Sequence, residues 1–259
     1  MCEIAFTLGP LTVRWYGVMA ALGFLTALFV INLKRKYAGM TSSQVADFML
    51  LLVISGILGS RVFYVIEFWG QFKYNLAEIV RIDHGGLVFY GGFICAVISI
   101  IVYCVRLKFS IVKVMDIAVP GLAFGHAAGR IGCFLNGCCY GTPTKLPWGV
   151  VYPAASAPAM KYPGVPIHPV QLYETGGNII IGSILFYLAG KLKPGQNLSL
   201  YLFFYGAFRF LNEFARGDHT DFLLGLLTPA QTIGLFLIGT GICLFFYFGK
   251  RKNGVKYNV

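Results

Sequence analysis

The chain has 259 residues, of which 57% are hydrophobic, 16% aromatic and only 12% charged, and its formal net charge is +11. A soluble globular domain carries about 25% charged residues, so there is too little charge here to coat a water-facing surface. That excludes a disordered chain, a disulfide-stapled secreted domain and an ordinary cytosolic enzyme, and a mean hydropathy of +0.72 directs the reading to the membrane.

A bilayer core of ~30 Å takes about 20 mostly apolar residues per helix. Seven such runs occur in order, at 14–32, 47–67, 87–105, 112–134, 170–189, 197–215 and 229–248. In lipid the backbone must satisfy its own polar groups, so each run is predicted to be helical. The first run lacks a basic leader and is followed by Lys34-Arg35-Lys36 instead of small residues. It is therefore predicted to be a retained span, not a removable signal peptide.

The loops between the runs set an orientation. Lys34, Arg35, Lys36, Arg106, Lys108, Lys113, Lys191, Lys193, Lys250, Arg251, Lys252 and Lys256 fall on one side, whereas the other side has only Lys73, Arg81, Lys145 and Lys161. By the positive-inside rule the first group is cytoplasmic, with the N-terminus extracytoplasmic and the C-terminus cytoplasmic. The excess charge is then topological, and no nucleic-acid partner is expected. With no internal repeat and no long linker, residues 1–259 are predicted to form a single all-α transmembrane domain of seven helices. Residues 135–168, which hold six of the eleven prolines, are expected to make a small, irregular but rigid extracytoplasmic cap.

Five arginines remain, Arg14, Arg61, Arg130, Arg209 and Arg216, all within the runs or at their outer ends. An Arg at a helix centre costs about 2.5–3.5 kcal/mol on insertion scales and tends to have a purpose. Snorkelling to the headgroups is the plainer reading, above all for Arg14 and Arg216. Residues four apart share a helix face, which stacks Tyr205, Arg209 and Glu213 on the sixth helix and His126 and Arg130 on the fourth. Arg61 and Tyr64 share a face of the second. Guanidiniums converging from several helices make a forked anion site suited to phosphate, with Glu213 holding Arg209. The most economical ligand is an anionic phospholipid entering from the outer leaflet.

Four stretches concentrate polar groups. They are Gly85-Gly86-Leu87-Val88-Phe89-Tyr90-Gly91-Gly92, Gly129-Arg130-Ile131-Gly132 through Asn136-Gly137, His168-Pro169-Val170-Gln171-Leu172-Tyr173-Glu174, and Tyr205 through Asp218. Together with Arg14-Trp15-Tyr16-Gly17, Gly59-Ser60-Arg61 and Leu227-Thr228-Pro229-Ala230-Gln231, they resemble the prolipoprotein diacylglyceryl transferase family over nearly the whole chain. The resemblance implies a seven-helix bacterial inner-membrane enzyme with its active site toward the extracytoplasmic leaflet. Its partners would be phosphatidylglycerol, the lipobox cysteine of prolipoprotein signal peptides and membrane lipids. The diacylglyceryl group would move to that thiol and glycerol phosphate would leave, with no cofactor, metal or nucleotide. Arg130 and Arg209 would stabilise charge on the departing phosphate, with Tyr90 as the third catalytic residue. Arg130, Asn136, Tyr16, Arg61, Tyr205, Glu213 and His126 would bind substrate.

Three positions depart from the family's usual pattern: Tyr90 stands for a histidine, Cys133 for an asparagine and Cys138 for an acidic residue. A tyrosine, with an unperturbed pKa of about 10, can hydrogen-bond but is a poor base at neutral pH. His126, His168 or Glu213 could take that part, or arginines could lower the pKa of the attacking thiol. The departures leave room for a paralogue with another acceptor; an anion transporter and a lipid-binding scaffold are further alternatives.

Of the seven cysteines, Cys95, Cys104 and Cys243 read as small core residues, and Cys2 has no lipobox before it. Cys133, Cys138 and Cys139 cluster at the outer mouth of the fourth helix, where a disulfide, a nucleophilic thiol and subfamily drift are all open. Zinc ranks last, for want of a second Cys or His pair at ligand spacing. His84 and His219 read as solvated, and His168 as a residue that orders its helix start.

Overall fold

The computed structural model describes residues 4–9, 11–81, 85–218 and 226–250. Cys2, His84, His219 and the tail residues Arg251, Lys252 and Lys256 lie outside the described residues. Long helices occupy the places of all seven apolar runs: α1 (Trp15–Ala38), α2 (Ser42–Glu67), α4 (Phe89–Arg106), α5 (Ile111–Asn136), α7 (Val170–Leu188), α8 (Gln196–Glu213) and α9 (Pro229–Lys250). Two short helices, α3 (Trp69–Phe72) and α6 (Ala157–Lys161), and a 3-10 turn at Leu76–Val80 lie between them. Five of the long helices, α1, α2, α4, α5 and α9, are long and apolar enough to cross a bilayer. Large side chains such as Phe29, Ile66, Phe93, Ile180 and Phe236 stay exposed, as lipid contact allows and water does not. The chain is an α-helical membrane protein.

One element departs from the all-α expectation. Ile4–Leu8 (β1) pairs antiparallel with Leu11–Arg14 (β2), joined through Gly9 at φ +59°. Arg14 therefore closes a strand, and the first helix begins one residue later than its predicted span. This stretch is rich in β-branched and aromatic residues, which favour extended backbone.

The chain packs as two compact units, one of the residues up to Lys34 together with those from Met115 onward, the other of Arg35–Val114. In the second unit α2 and α4 run antiparallel. A Cβ at Gly59 would come within 2.6 Å of the Gly91 carbonyl, so the helices approach as closely as backbone allows, as small residues permit in membranes. Arg61 does not present a free fork in this unit. Its Nε donates to Ile79 O (2.9 Å), Nη1 to Gly85 O (2.6 Å) and Gly86 O (3.0 Å), and Nη2 to Glu78 O (2.5 Å) and Arg81 O (3.0 Å). All five N–H groups a guanidinium owns are taken by main-chain carbonyls, so Arg61 clamps the segments flanking it.

In the first unit α5 is the axis. It runs antiparallel to α1, where a Cβ at Gly125 would meet the Gly23 carbonyl at 3.0 Å. Pro120 sits inside α5 and cannot donate to the carbonyl four residues back. That carbonyl, of Asp116, accepts from Asn197 Nδ2 (2.8 Å) instead. The Asp116 carboxylate accepts from Gly195 N (2.6 Å) and Leu198 N (2.9 Å), capping α8 from a neighbouring helix. These bonds place the N-terminal halves of α5 and α8 side by side, and so run the two helices parallel. Asn197 also donates to Leu185 O (3.2 Å) near the end of α7, so α7 returns antiparallel. The core here is Val119, Ala123, Ile181, Leu185 and Tyr201, and α9 packs antiparallel on α8 through Gly206 and Gly234.

Replacing Asp116 with Leu strands the N–H groups of Gly195, the N-cap of α8, and of Leu198 in its first turn, at about 1–3 kcal/mol for each unmet buried group. Thermal unfolding in detergent should show Asp116→Leu several degrees below the parent protein, and Asp116→Asn between the two.

Candidate active site

At the C-terminal ends of α5 and α8 and the N-terminal end of α7, charges gather around one carboxylate. Glu174, on the second turn of α7, is buried. Its Oε2 pairs with Arg130 Nε, and its Oε1 accepts from Asn212 Nδ2 at 3.0 Å. Arg209 Nη1 lies 3.8 Å and Arg216 Nη1 3.7 Å from Oε1. Three guanidiniums from three places in the chain thus share one buried anion. The expected convergence of Arg130 and Arg209 is present and Arg216 joins it, but Glu174 at the centre was not singled out by spacing.

Each guanidinium is oriented by a further partner. Arg130 Nε–H points to His126 Nε2 at 3.0 Å, one turn back on α5. Arg209 Nη1 donates to Glu213 Oε2 at 2.5 Å, so the four-residue spacings read from the sequence become real contacts. Glu213 also accepts from Thr228 Oγ1 (2.9 Å). Thr228 and Gln231 exchange backbone and side-chain bonds in a capping box at the start of α9, as the threonine-to-glutamine spacing requires. Arg216 holds Asp218 with Nε at 3.0 Å and Nη2 at 2.8 Å. Burial works against the charge on Arg216, but the Asp218 hydrogen bonds hold its pKa above the ordinary value.

What these contacts leave free matters chemically. Among the described residues no protein acceptor takes Nη1 or Nη2 of Arg130, nor Nε or Nη2 of Arg209. Both side chains are about one-sixth exposed or less. Preorganised, largely desolvated N–H donors of this kind are what an anion needs, because they cost no reorganisation when charge develops. Tyr205 stacks on Tyr201, ring centroids 5.5 Å apart, and meets the His126 ring at 5.6 Å, filling the space between α5 and α8.

The other predicted residues sit as follows. Tyr16, in the first turn of α1, is half-exposed, and its backbone lies against Gly132 of α5. Asn136 ends α5. Tyr90, in the first turn of α4, is exposed and belongs to the second unit. His168 Nδ1 lies 3.1 Å from the Tyr173 hydroxyl, which also accepts from Trp148 Nε1 (2.7 Å). It orders the entry to α7.

Beyond α5, Cys138 N donates back to Cys133 O at 3.2 Å, and the buried Gln171 fixes the turn by donating Nε2 to Cys138 O at 2.7 Å. Tyr152 in turn donates to Gln171 Oε1 (3.2 Å). Cys133, Cys138 and Cys139 are free thiols, so the disulfide among the open readings is not formed. Hydrogen bonds from Cys133 and Cys138 pull the Cys139 thiol well below its ordinary pKa; burial opposes this, and Arg216 and Arg130 reinforce it. The segment Gly141–Ile167 is closed by single bridges, Gly141 to Arg216 and both Pro143 and Val150 to Ile167. Its own small core is Tyr152, Ala159 and Ile167.

The family model for prolipoprotein diacylglyceryl transferase matches residues 3–247. A Finegoldia magna protein named phosphatidylglycerol–prolipoprotein diacylglyceryl transferase is 35% identical over 254 residues, covering 97% of each chain. Proteins of the same name from Clostridium tetani and Bordetella bronchiseptica are 35% and 34% identical, covering 98% and 93% of this chain and 100% and 94% of their own. The chain belongs to the prolipoprotein diacylglyceryl transferase family.

Neutralising Glu174 leaves three buried guanidiniums short of their shared anion, and breaking one side of a buried ion pair costs about 3–5 kcal/mol. Glu174→Gln, nearly the same size, should lower the thermal midpoint in detergent by roughly 10 °C. Asn212→Ala, which removes a single hydrogen bond to the same carboxylate, should cost less than half of that.

Proposed function

We propose that this chain transfers the diacylglyceryl group of phosphatidylglycerol to the lipobox cysteine thiol of prolipoprotein signal peptides, the first step of bacterial lipoprotein maturation. The reading is supported by family membership and carried by one observation: two largely buried guanidiniums with free donors, held in place by a shared carboxylate. All seven long helices span the cytoplasmic membrane in this proposal, the N-terminus outside, with residues 1–259 acting as one transferase domain. The reaction then takes place toward the extracytoplasmic leaflet, where the arginines face lipid headgroups.

The substitution is at carbon. The thiol sulfur attacks the glyceryl carbon that bears the phosphate oxygen, a carbon–sulfur bond forms, and the carbon–oxygen bond breaks. The electron pair leaves on the phosphate oxygen as glycerol phosphate, and the thiol proton passes to a base. Arg130 Nη1 and Nη2 and Arg209 Nε and Nη2 receive the growing negative charge. His126 and Glu213 orient those two side chains and Tyr205 packs between their helices. Tyr16 and Asn136, at the mouth of the α1–α5 pair, contact the headgroup. Tyr90 contributes a hydroxyl as hydrogen-bond partner, and Arg61 serves the reaction only by clamping the main chain ahead of α4.

The test pairs purified protein with phosphatidylglycerol and a synthetic lipobox peptide bearing one cysteine. Mass spectrometry should find a diacylglyceryl increment on the thiol. Arg130→Lys and Arg209→Lys keep the charge and lose the planar fork, and each should slow turnover by about 10²-fold or more while the protein stays folded. Lipid binding without any increment would sink the transferase reading in favour of a lipid protein with another acceptor.

A further inference from the structure

We propose that Cys133, Cys138 and Cys139 form a trithiolate site for a soft d10 metal ion of the zinc(II) or copper(I) type. Their three sulfur atoms lie within 4.8 Å of one another, although sequence spacing ranks zinc last. A zinc–sulfur bond of about 2.3 Å puts the sulfurs of one ion roughly 3.8–4.0 Å apart, so side-chain rotation of under about 1 Å closes the set.

Several features hold the thiols together. Cys133 stands on the last turn of α5, and the chain folds back through Gly137 at φ +73° and the Cys138 N to Cys133 O bond. Cys139 itself has φ +59°, an uncommon conformation for a residue with a side chain, and it turns the third sulfur toward the other two. Gln171, buried on α7, pins the loop at the Cys138 carbonyl. The Cys138 thiol also donates to Cys133 O at 3.7 Å, but the bonds that close the turn from Cys138 N and from Gln171 need no sulfur.

Ligand softness and charge agree on the class of ion. Three thiolates select zinc and copper(I) over magnesium or calcium, which take oxygen. A divalent ion on three thiolates carries one net negative charge and a monovalent ion two. Arg130 stands one turn before Cys133 on α5, and the Gly141–Arg216 bridge brings Arg216 to the chain just beyond Cys139, so both guanidiniums are placed to complement that charge. Loading the site exchanges thiol protons for metal, one proton leaving to solvent per thiolate formed, with no change of oxidation state. The proposal does not rest on the transferase reading, since no step of that reaction passes through the cluster.

Cadmium(II) is the probe for the zinc-like ion, because its thiolate complexes absorb in the ultraviolet by sulfur-to-metal charge transfer. Reduced, metal-free full-length protein should develop that band and saturate at one cadmium per chain. The protein carrying Cys2→Ser, Cys95→Ser, Cys104→Ser and Cys243→Ser keeps only the cluster and should behave alike. Cys139→Ser should bind at least tenfold more weakly, with an unchanged unfolding midpoint showing that the fold is intact. Competition against a copper(I) chelator, in a parallel titration, decides which ion the site prefers. A wild-type protein without the band, or a band that Cys139→Ser leaves unchanged, would overturn the proposal.

Discussion

Everything at this site depends on one buried carboxylate holding three guanidiniums. Removing charges from water costs several kcal/mol per ion after relaxation, and the cost is recovered only by close, well-hydrogen-bonded pairing. Glu174 supplies the shared charge for Arg130 on α5, Arg209 on α8 and Arg216 just beyond α8. The hydrogen bonds that complete the pairing run from Asn212 to Glu174, from Arg209 to Glu213 and from Arg216 to Asp218. With Glu213 and Asp218 as further counterions, three cations meet three anions among the described residues. The cluster is therefore close to neutral as a whole, and what it offers an incoming phosphate is directed N–H donors more than bulk positive charge. That distinction suits a transition state: donors fixed in place favour charge that develops at one oxygen over charge spread along a headgroup.

The same helices are tied at their far ends by Asp116. Its carboxylate caps α8, and its carbonyl, freed by Pro120, accepts from Asn197. Parallel helices have no short loop to fix their register, so α5 and α8 need such ties. Asp116 sets the register at one end, and Glu174 with its arginines sets it at the other. Between them the rings of His126, Tyr205 and Tyr201 fill the seam. A shift of one turn along either helix would break both ends at once, which keeps the arginine forks within the small tolerance that transition-state binding demands.

Patterns local in sequence were legible without a structure. Each apolar run coincides with a long helix, and the four-residue spacings of His126 with Arg130 and of Arg209 with Glu213 are contacts. Relationships between distant segments were not. Glu174 lay in a noted motif, but nothing in its spacing tells that α7 brings it to two other helices. Arg61 looked like Arg130 as an arginine inside an apolar run, yet its donors go to carbonyls 17 to 25 residues away. The three cysteines had ligand chemistry but poor linear spacing, because the turn through Gly137 and Cys139 supplies by left-handed backbone what a regular motif supplies by count. The β1–β2 hairpin was missed because it borders a long apolar run that dominates any scan for helices.

The two long helices outside the clearly apolar set, α7 and α8, carry the network together with α5. Gln171, Glu174, Thr175 and Asn178 on α7 and Gln196, Asn197, Ser199, Asn212 and Glu213 on α8 are buried. Meanwhile Ile180 and Tyr187 of α7 and Leu211 of α8 are exposed. Their polarity is thus inward, the reverse of a water-soluble amphipathic helix, in which the buried stripe is the apolar one. Under the proposed topology such a helix needs no uniformly apolar surface, because its polar face meets protein and only the remainder meets lipid. The buried polar side chains of these two segments follow from where the charged site is built. The greasier helices α1 and α9 pack against its flanks, at Gly132 and Gly206 respectively, and leave the polar chemistry to α5, α7 and α8.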